Sequence, residues 1–465
     1  MFSANTYVER RSKLKSKIKS GILLIPGNEE APMNYPANSY TYRQDSTFLY
    51  YFGLDRDGLF AVIDVDNDKD LIFGYDYTID DIVWMGPQPK IAESAQKVGV
   101  SETYPLEKLD DFIKEAKSNG REIHYLPQYR FQNMIRLEKL LGTKSYEINN
   151  HRSEEFTIAV IEQRSIKSKE ELNEINYALD ISYEMNTTAM KLAQPGKKER
   201  EIYGALNGIA NSMGRGVSFP VICSVHGETL HNHNYDNTLS DGDLLLIDSG
   251  AESLLHYASD ITRTFPVNGK FTNKQKEIYN IVLSSQLKAI ESVKPGIRFR
   301  EVHLKAAEVI ANGLKNLGLM KGDPKEAVSK GAHALFFPHG LGHAMGLDVH
   351  DLEALGENLV GYDKDTKRSD QFGLAYLRFA KDLQPGYVLT IEPGIYFIPE
   401  LIDKWKSENK FTEFINYDKV EEYKDFGGIR IEDDIVVTDS GCEVLGNKPI
   451  PKTIDEVENF CSFGE

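Results

Sequence analysis

The chain has 465 residues, with 54 Lys and Arg against 71 Asp and Glu, a formal net charge of −17, and 41% hydrophobic residues. That length points to roughly two or three domains and that hydrophobic content excludes wholesale disorder, while the acidic balance argues against a sequence-independent grip on nucleic acid. Three cysteines are too few for a disulfide scaffold, and the densest apolar stretches, GILLIPG and GDLLLID, fall far short of the roughly 20 residues that span a bilayer, so a reducing cytoplasm without membrane contact is expected.

In chain order, strands are predicted at GILLIP (21–26), TFLYYFG (47–53), LFAVIDV (59–65), DLIFGY (70–75) and EIHYLP (122–127). Several are continuous apolar runs, the mark of strands covered on both faces. Helical spacing appears at LEKLDDFIKEAKS (106–118) and at QNMIRLEKLLG (132–142), which stops at Gly142. The charged stretch INNHRSEEF (148–156) breaks this α/β pattern and places a domain boundary near residue 160, giving domains 1–160 and 161–465. Beyond it, residues 165–214 read as two helices parted by Pro195-Gly196, the first opening on a capping box from Ser168 to Glu171.

One internal echo carries more. GDLLLIDSG (242–250) and GYVLTIEPG (386–394) share a pattern that places Asp248 and Glu392 at equivalent positions. Each is followed by another acidic strand, SDITRTF with Asp260 and GIRIEDDIVVT with Glu432. The repeat reads as two similar halves facing each other across a cleft. Any one of these acids alone would be a strand-end carboxylate paired with Arg or Lys. Four in apolar contexts need cations, because a buried carboxylate is otherwise neutralised by a shifted pKa.

PHGLGHAMGLDVHD (338–351) adds His339, His343 and His350. Gly340 and Gly342 exclude a regular helix there and imply close backbone packing. Four carboxylates and an imidazole form a hard set that favours Mn²⁺, Mg²⁺ or Fe²⁺ over thiolate-bound zinc, and four negative ligands balance two divalent ions.

On LIDSGAE, SDITRTFPVNGKFT, PHGLGHAMGLDVHD, TIEPGIYF and GGIRIEDDIVVT, the chain from about residue 165 resembles the pita-bread metallopeptidases: aminopeptidase P, prolidase and methionine aminopeptidase. YRQDSTFLYYFGL (42–54) resembles the amino-terminal domain of the first two. The resemblance implies an α/β chain: an α+β pita-bread catalytic domain with pseudo-twofold halves, preceded by a smaller α/β domain. It implies Asp248, Asp260, His343, Glu392 and Glu432 as ligands of two divalent ions, Mn²⁺ being favoured. Asp260 and Glu432 would bridge them, and a bridging hydroxide would attack the scissile carbonyl with Glu392 assisting proton transfer. His350 would stabilise the oxyanion and His231 would be a further active-site histidine, with His233 and His226 close enough in sequence to exchange with it. Arg430 would anchor a ligand carboxylate and His339 would line the cleft.

The implied substrates are peptides with proline in second position, cleaved by a homodimer or homotetramer. The loop SVHGETLHNHNYDN keeps the aminopeptidase P spacing, so an Xaa-Pro aminopeptidase is expected. The alternative is a prolidase, to which residues 395–434 are closer and in which Arg378 would pair with a dipeptide carboxylate. A non-catalytic peptide-binding relative is the remote third reading.

Overall fold

The apolar runs of the first part of the chain pair into one mixed sheet of order β4-β3-β2-β1-β5. Its strands are β1 (Ile22–Pro26), β2 (Phe60–Asp64), β3 (Lys69–Gly74), β4 (Glu102–Pro105) and β5 (Ile123–Tyr125). β1 and β2 pair antiparallel and are buried at every residue, which is why neither alternates with polar residues. Seven helices accompany the sheet: α1 (Ala4–Lys15), α2 (Ser46–Phe52), α3 (Ile79–Met85), α4 (Ile91–Gln96), α5 (Lys108–Ser118), α6 (Phe131–Leu141) and α7 (Glu154–Ser165). Leu109 and Ile113 of α5 and Leu137 and Leu140 of α6 join Ile22, Leu24, Phe60 and Val62 in one core.

The stretch 47–53, expected as a strand, is helix α2 instead. Asp45 caps it by accepting from Thr47 N and Phe48 N, and Gly53 ends it in the left-handed region at φ 60°. Every residue of α2 is buried, and an apolar run buried all round has no period that tells strand from helix.

The computed structural model describes residues 1–461. They divide into two compact units: Met1–Arg164 together with Leu352–Val360, and Ser165–Asp351 together with the chain from Gly361 onward. The boundary expected at residue 160 lies inside α7, a helix whose acidic start, Glu154-Glu155, was read as part of a charged break. The chain parts at the end of that helix. Residues 352–360, expected within the second domain, group with the first unit.

The second unit begins with α8 (Lys169–Leu192) and α9 (Glu199–Met213), then β6 (Ile222–Ser224), β7 (Leu244–Ser249) and β8 (Ile261–Pro266). The Ser168–Glu171 capping box forms at the start of α8. α10 (Asn273–Ser292) and α11 (Phe299–Asn316) follow. Then come β9 (Val388–Ile391), β10 (Gly394–Tyr396), β11 (Gly428–Arg430), β12 (Asp433–Val437) and β13 (Cys442–Val444). Each half thus contributes a helix pair and a three-stranded sheet, β6-β7-β8 in one and β13-β12-β9 in the other, with β10 and β11 as a separate antiparallel pair. The two halves are joined by a backbone bond, Glu432 N to Thr262 O at 3.0 Å, and by the Thr264 hydroxyl, which donates to Arg430 O at 3.0 Å. The site is built along that seam.

Candidate active site

The repeated strands deliver their acids to one place. Asp248 lies near the end of β7, Glu392 just past β9, Asp260 just before β8 and Glu432 between β11 and β12. The glycine-rich segment 338–346 runs without regular structure against β9, where Thr390 N donates to His343 O and Glu392 N to Leu341 O. Gly342 is required there: a Cβ would stand 2.0 Å from Thr390 O. That close approach brings the His343 imidazole to the carboxylates.

Asp260, His343 and Glu432 each offer a ligand atom, all within 4.8 Å of one another, and all three residues are buried. His343 Nε2 lies 3.4 Å from Asp260 Oδ2 and 3.8 Å from Glu392 Oε1. Its Nδ1 is 3.2 Å from the Ala344 carbonyl, so Nδ1–H is the donor and the Nε2 lone pair faces the acids. Arg430 donates to Asp248 Oδ2 at 2.6 Å and to the Tyr396 hydroxyl at 2.9 Å, while Thr262 donates to Glu432 Oε2 at 2.7 Å.

The electrostatics are those of a site short of positive charge. Burial, then repulsion from Asp248, Asp434 and Glu392, pushes the Asp260 carboxyl well above the usual range. Burial and the Asp260, Glu392 and Asp248 charges do the same to Glu432, and burial raises Glu392. Asp248 Oδ1 and Asp260 Oδ1 are buried and have no hydrogen-bond partner among the described residues. Orphaned carboxylate oxygens facing an imidazole lone pair fit a divalent cation, and an oxygen-rich set with one nitrogen fits a hard one.

These groups line a cavity of about 590 Å³, within the range of sites that enclose a small ligand. Asp248, Asp260, His343, Glu392 and Glu432 occupy its wall together with His231, His233, His339, His350, Arg378 and Arg430. All the residues singled out from the sequence meet there except His226, which pairs with Glu228 at 3.0 Å. The His350 ring lies 4.0 Å from that of His343, centroid to centroid. His339 does not reach the carboxylate cluster as a donor of a free lone pair. Its Nδ1 is 2.7 Å from Gly340 O and its Nε2 2.8 Å from the Tyr396 hydroxyl, and burial beside Arg430 lowers its pKa to about 3. Apolar cover comes from Phe219, Leu230, Val349, Phe372, Tyr376 and Leu401.

The pattern of Metallopeptidase family M24 matches residues 173–439, the span that holds all five clustered ligand candidates. The chain belongs to metallopeptidase family M24. The pattern of the aminopeptidase P amino-terminal domain matches residues 7–124. Human Xaa-Pro dipeptidase is 33% identical over 462 residues, covering 97% of this chain and 90% of that protein. A probable Xaa-Pro aminopeptidase of Aspergillus niger is 30% identical over 462 residues, covering 97% of this chain and 95% of that protein. Among solved structures, a histidine-to-alanine variant of Escherichia coli aminopeptidase P superposes with a TM-score of 0.82 at 29% identity, covering 100% of this chain and 99% of that one. The architecture is therefore the α/β M24 arrangement, a pita-bread catalytic domain after an aminopeptidase P-type domain, and it implies divalent metal binding.

Sequence reasoning missed three features of this M24 site. Tyr396 links Arg430 to His339, and its presence in TIEPGIYF was a usable signal. Asp434 accepts from Asp260 N at 3.0 Å and could have been read from the doubled acid after Glu432. Lys167 meets Asp351 at 2.8 Å with both side chains buried, beside His350, and no local pattern announces a pairing across 184 residues.

Proposed function

We propose that the protein is a dinuclear-metal Xaa-Pro aminopeptidase, hydrolysing the bond between an amino-terminal residue and a following proline. The observation that carries this reading is the convergence of Asp248, Asp260, His343, Glu392 and Glu432 on one cavity wall short of positive charge, with Asp260, His343 and Glu432 buried and Asp248 and Glu392 half-buried. These five would hold two divalent ions, Mn²⁺ by the hardness of the set. Bound there, such ions polarise a carbonyl and make water a nucleophile at neutral pH.

The chain's own groups do the rest. Burial raises the Glu392 pKa, which makes its carboxylate form the stronger base; in that form it takes a proton from the attacking water and then delivers it to the departing proline nitrogen. His350 and His231 face the same cavity and donate to the carbonyl oxygen as negative charge develops. Burial and the Arg430 charge lower the His231 pKa, so it serves as a neutral donor. Arg430 fixes Asp248 through the 2.6 Å bond, and the Phe219, Leu230 and Val349 side chains give the proline ring an apolar seat.

Likeness to aminopeptidase P along the whole chain supports the aminopeptidase reading. Arg378 on the cavity wall favours a second one, prolidase, because a guanidinium there is suited to a dipeptide carboxylate. A homo-oligomer acting in the cytoplasm belongs to the same proposal; no helix among the described residues is long and apolar enough to cross a membrane. The deciding experiment presents Ala-Pro and Ala-Pro-Ala together to chelator-stripped, Mn²⁺-reloaded protein. Alanine from the tripeptide, leaving Pro-Ala, supports the aminopeptidase. Cleavage of the dipeptide alone makes it a prolidase, and no metal-dependent alanine from either ends the Xaa-Pro reading.

A further inference from the structure

The wall of the cavity that carries His231 is a loop, residues 225–237, with no helix or strand of its own. Its tip presents Leu230, His231 and His233 to the cavity and is held by short-range bonds, Thr229 N to His226 O and Asn234 N to Asn232 Oδ1. Asn232 Nδ2 also donates to Ser224 Oγ at the end of β6, at 2.9 Å, and the two legs set where the rest of the tip, with His231, stands against the cavity.

Both legs converge on one carboxylate. Glu199, the first residue of α9, is fully buried. Val225 N, at the start of the loop, donates to its Oε1 at 2.8 Å. Asn237, at the end, donates its backbone N–H to Oε2 at 3.3 Å, and its Nδ2 lies 3.2 and 3.1 Å from the two oxygens. The main chain adds Glu199 N to Asn237 O and Arg200 N to Tyr235 O, both at 3.1 Å. Tyr235 stacks on Tyr203, one turn along α9, with ring centroids 4.0 Å apart. Glu199 is not the group that accepts from the start of its own helix: Lys198 N donates to Glu201 Oε1 at 2.9 Å. Hydrogen bonds to a buried carboxylate are about twice as strong as neutral ones, and the helix N-terminus favours the negative charge.

We propose that Glu199 is a positioning residue, stapling both legs of the 225–237 loop to α9 and so holding His231 against the cavity. This rests on the proposed function only in assigning His231 a part in turnover. Glu199→Gln keeps the shape and one accepting oxygen but replaces the other with an NH2, which turns a donor toward either Val225 N or Asn237 N.

The test compares the full-length, metal-loaded protein with Glu199→Gln, Asn237→Ala, His231→Ala and the Glu199→Gln/His231→Ala pair. In Glu199→Gln, amide exchange of residues 229–234 should accelerate about tenfold or more, with α9 and the strands unchanged. kcat/KM on an Xaa-Pro peptide should fall by about tenfold, carried by kcat, with metal content unchanged. In the His231→Ala background the same change should cost nothing further, since the residue it positions is gone. Asn237→Ala should reproduce a weaker form of both effects and stands in if Glu199→Gln does not fold. Unaltered exchange at the tip, exchange raised equally throughout the unit, or losses that add to those of His231→Ala overturn the proposal. If the wild-type protein cleaves no Xaa-Pro peptide the function fails, and the exchange measurement still decides the staple.

Discussion

Two sets of buried carboxylates stand side by side at β12, and the chain treats them in opposite ways. Asp433 accepts from Arg263 at 2.7 Å, Lys452 at 2.6 Å and Gln286 at 2.9 Å. Burial pulls its pKa upward, but Arg263 and Lys452 outweigh it and hold the carboxyl below its ordinary range. Glu432, the residue before it, and Asp260 opposite are as deeply buried and are pushed well above that range. The difference is supply of cations. The first set is complete within the chain and serves architecture; the second is left short and waits for charge from outside.

Breaking each set separately sharpens this contrast. The largest effect should follow Asp260→Asn, which removes a proposed metal ligand: divalent-ion uptake should fail and peptide cleavage should drop by about a thousandfold or more. Metal-free, the same variant should be no less stable than wild type, because an isosteric amide relieves repulsion among the acids. A metal-free variant that unfolds at lower denaturant would contradict the account of a charge-deficient site. Asp433→Asn should do the converse. It leaves Arg263, 1% exposed, without its buried counter-charge, at a cost of about 3–5 kcal/mol in urea unfolding, with metal uptake per folded chain retained.

Loading the wild-type protein with Mn²⁺ at a hundredfold excess over its dissociation constant should raise unfolding stability by about 2.7 kcal/mol for each ion bound. The gain should be absent from Asp260→Asn, and equal gains in both proteins would place the metal elsewhere. A smaller effect tests a third buried set, the imidazoles of His303 and His333, whose ring nitrogens all lack hydrogen-bond partners. Burial lowers the His333 pKa to about 4, and burial with the neighbouring His333 lowers that of His303. The unfolded chain, with a histidine pKa near 6.5, then binds more protons than the folded one, so stability should fall as pH drops from about 6.5 toward 4. His333→Phe should flatten that slope by at most about 1.4 kcal/mol per pH unit, read from denaturant midpoints across the window.

Much of this site was legible in the residues. Asp248 and Glu392 announce themselves through a repeated strand ending in an acid and a glycine, and the glycines around His343 signal a backbone that must pass close to its neighbour. Strands β1, β2, β3 and β5 also coincide with apolar runs. The run 47–53 misled because full burial erases the alternation on which strand and helix are told apart. The first unit's main segment ends at Arg164, near the expected residue 160, and Glu154-Glu155 belongs to a helix start, where acids are favoured by the dipole.

Pattern along the chain names the side chains that could serve: four acids on apolar strands, histidines among glycines, and the repeat that pairs the two halves. Which of those acids are compensated and which are not depends on the fold. Arg263 reaches Asp433 across 170 residues of chain, and Thr262 reaches Glu432 across another 170. The loop of His231 is likewise tied to Glu199, 26 and 38 residues from its two legs. Local pattern records burial and period, whereas the charge a buried carboxylate feels is set by whatever the fold brings within a few ångströms, and sequence separation carries no trace of that distance.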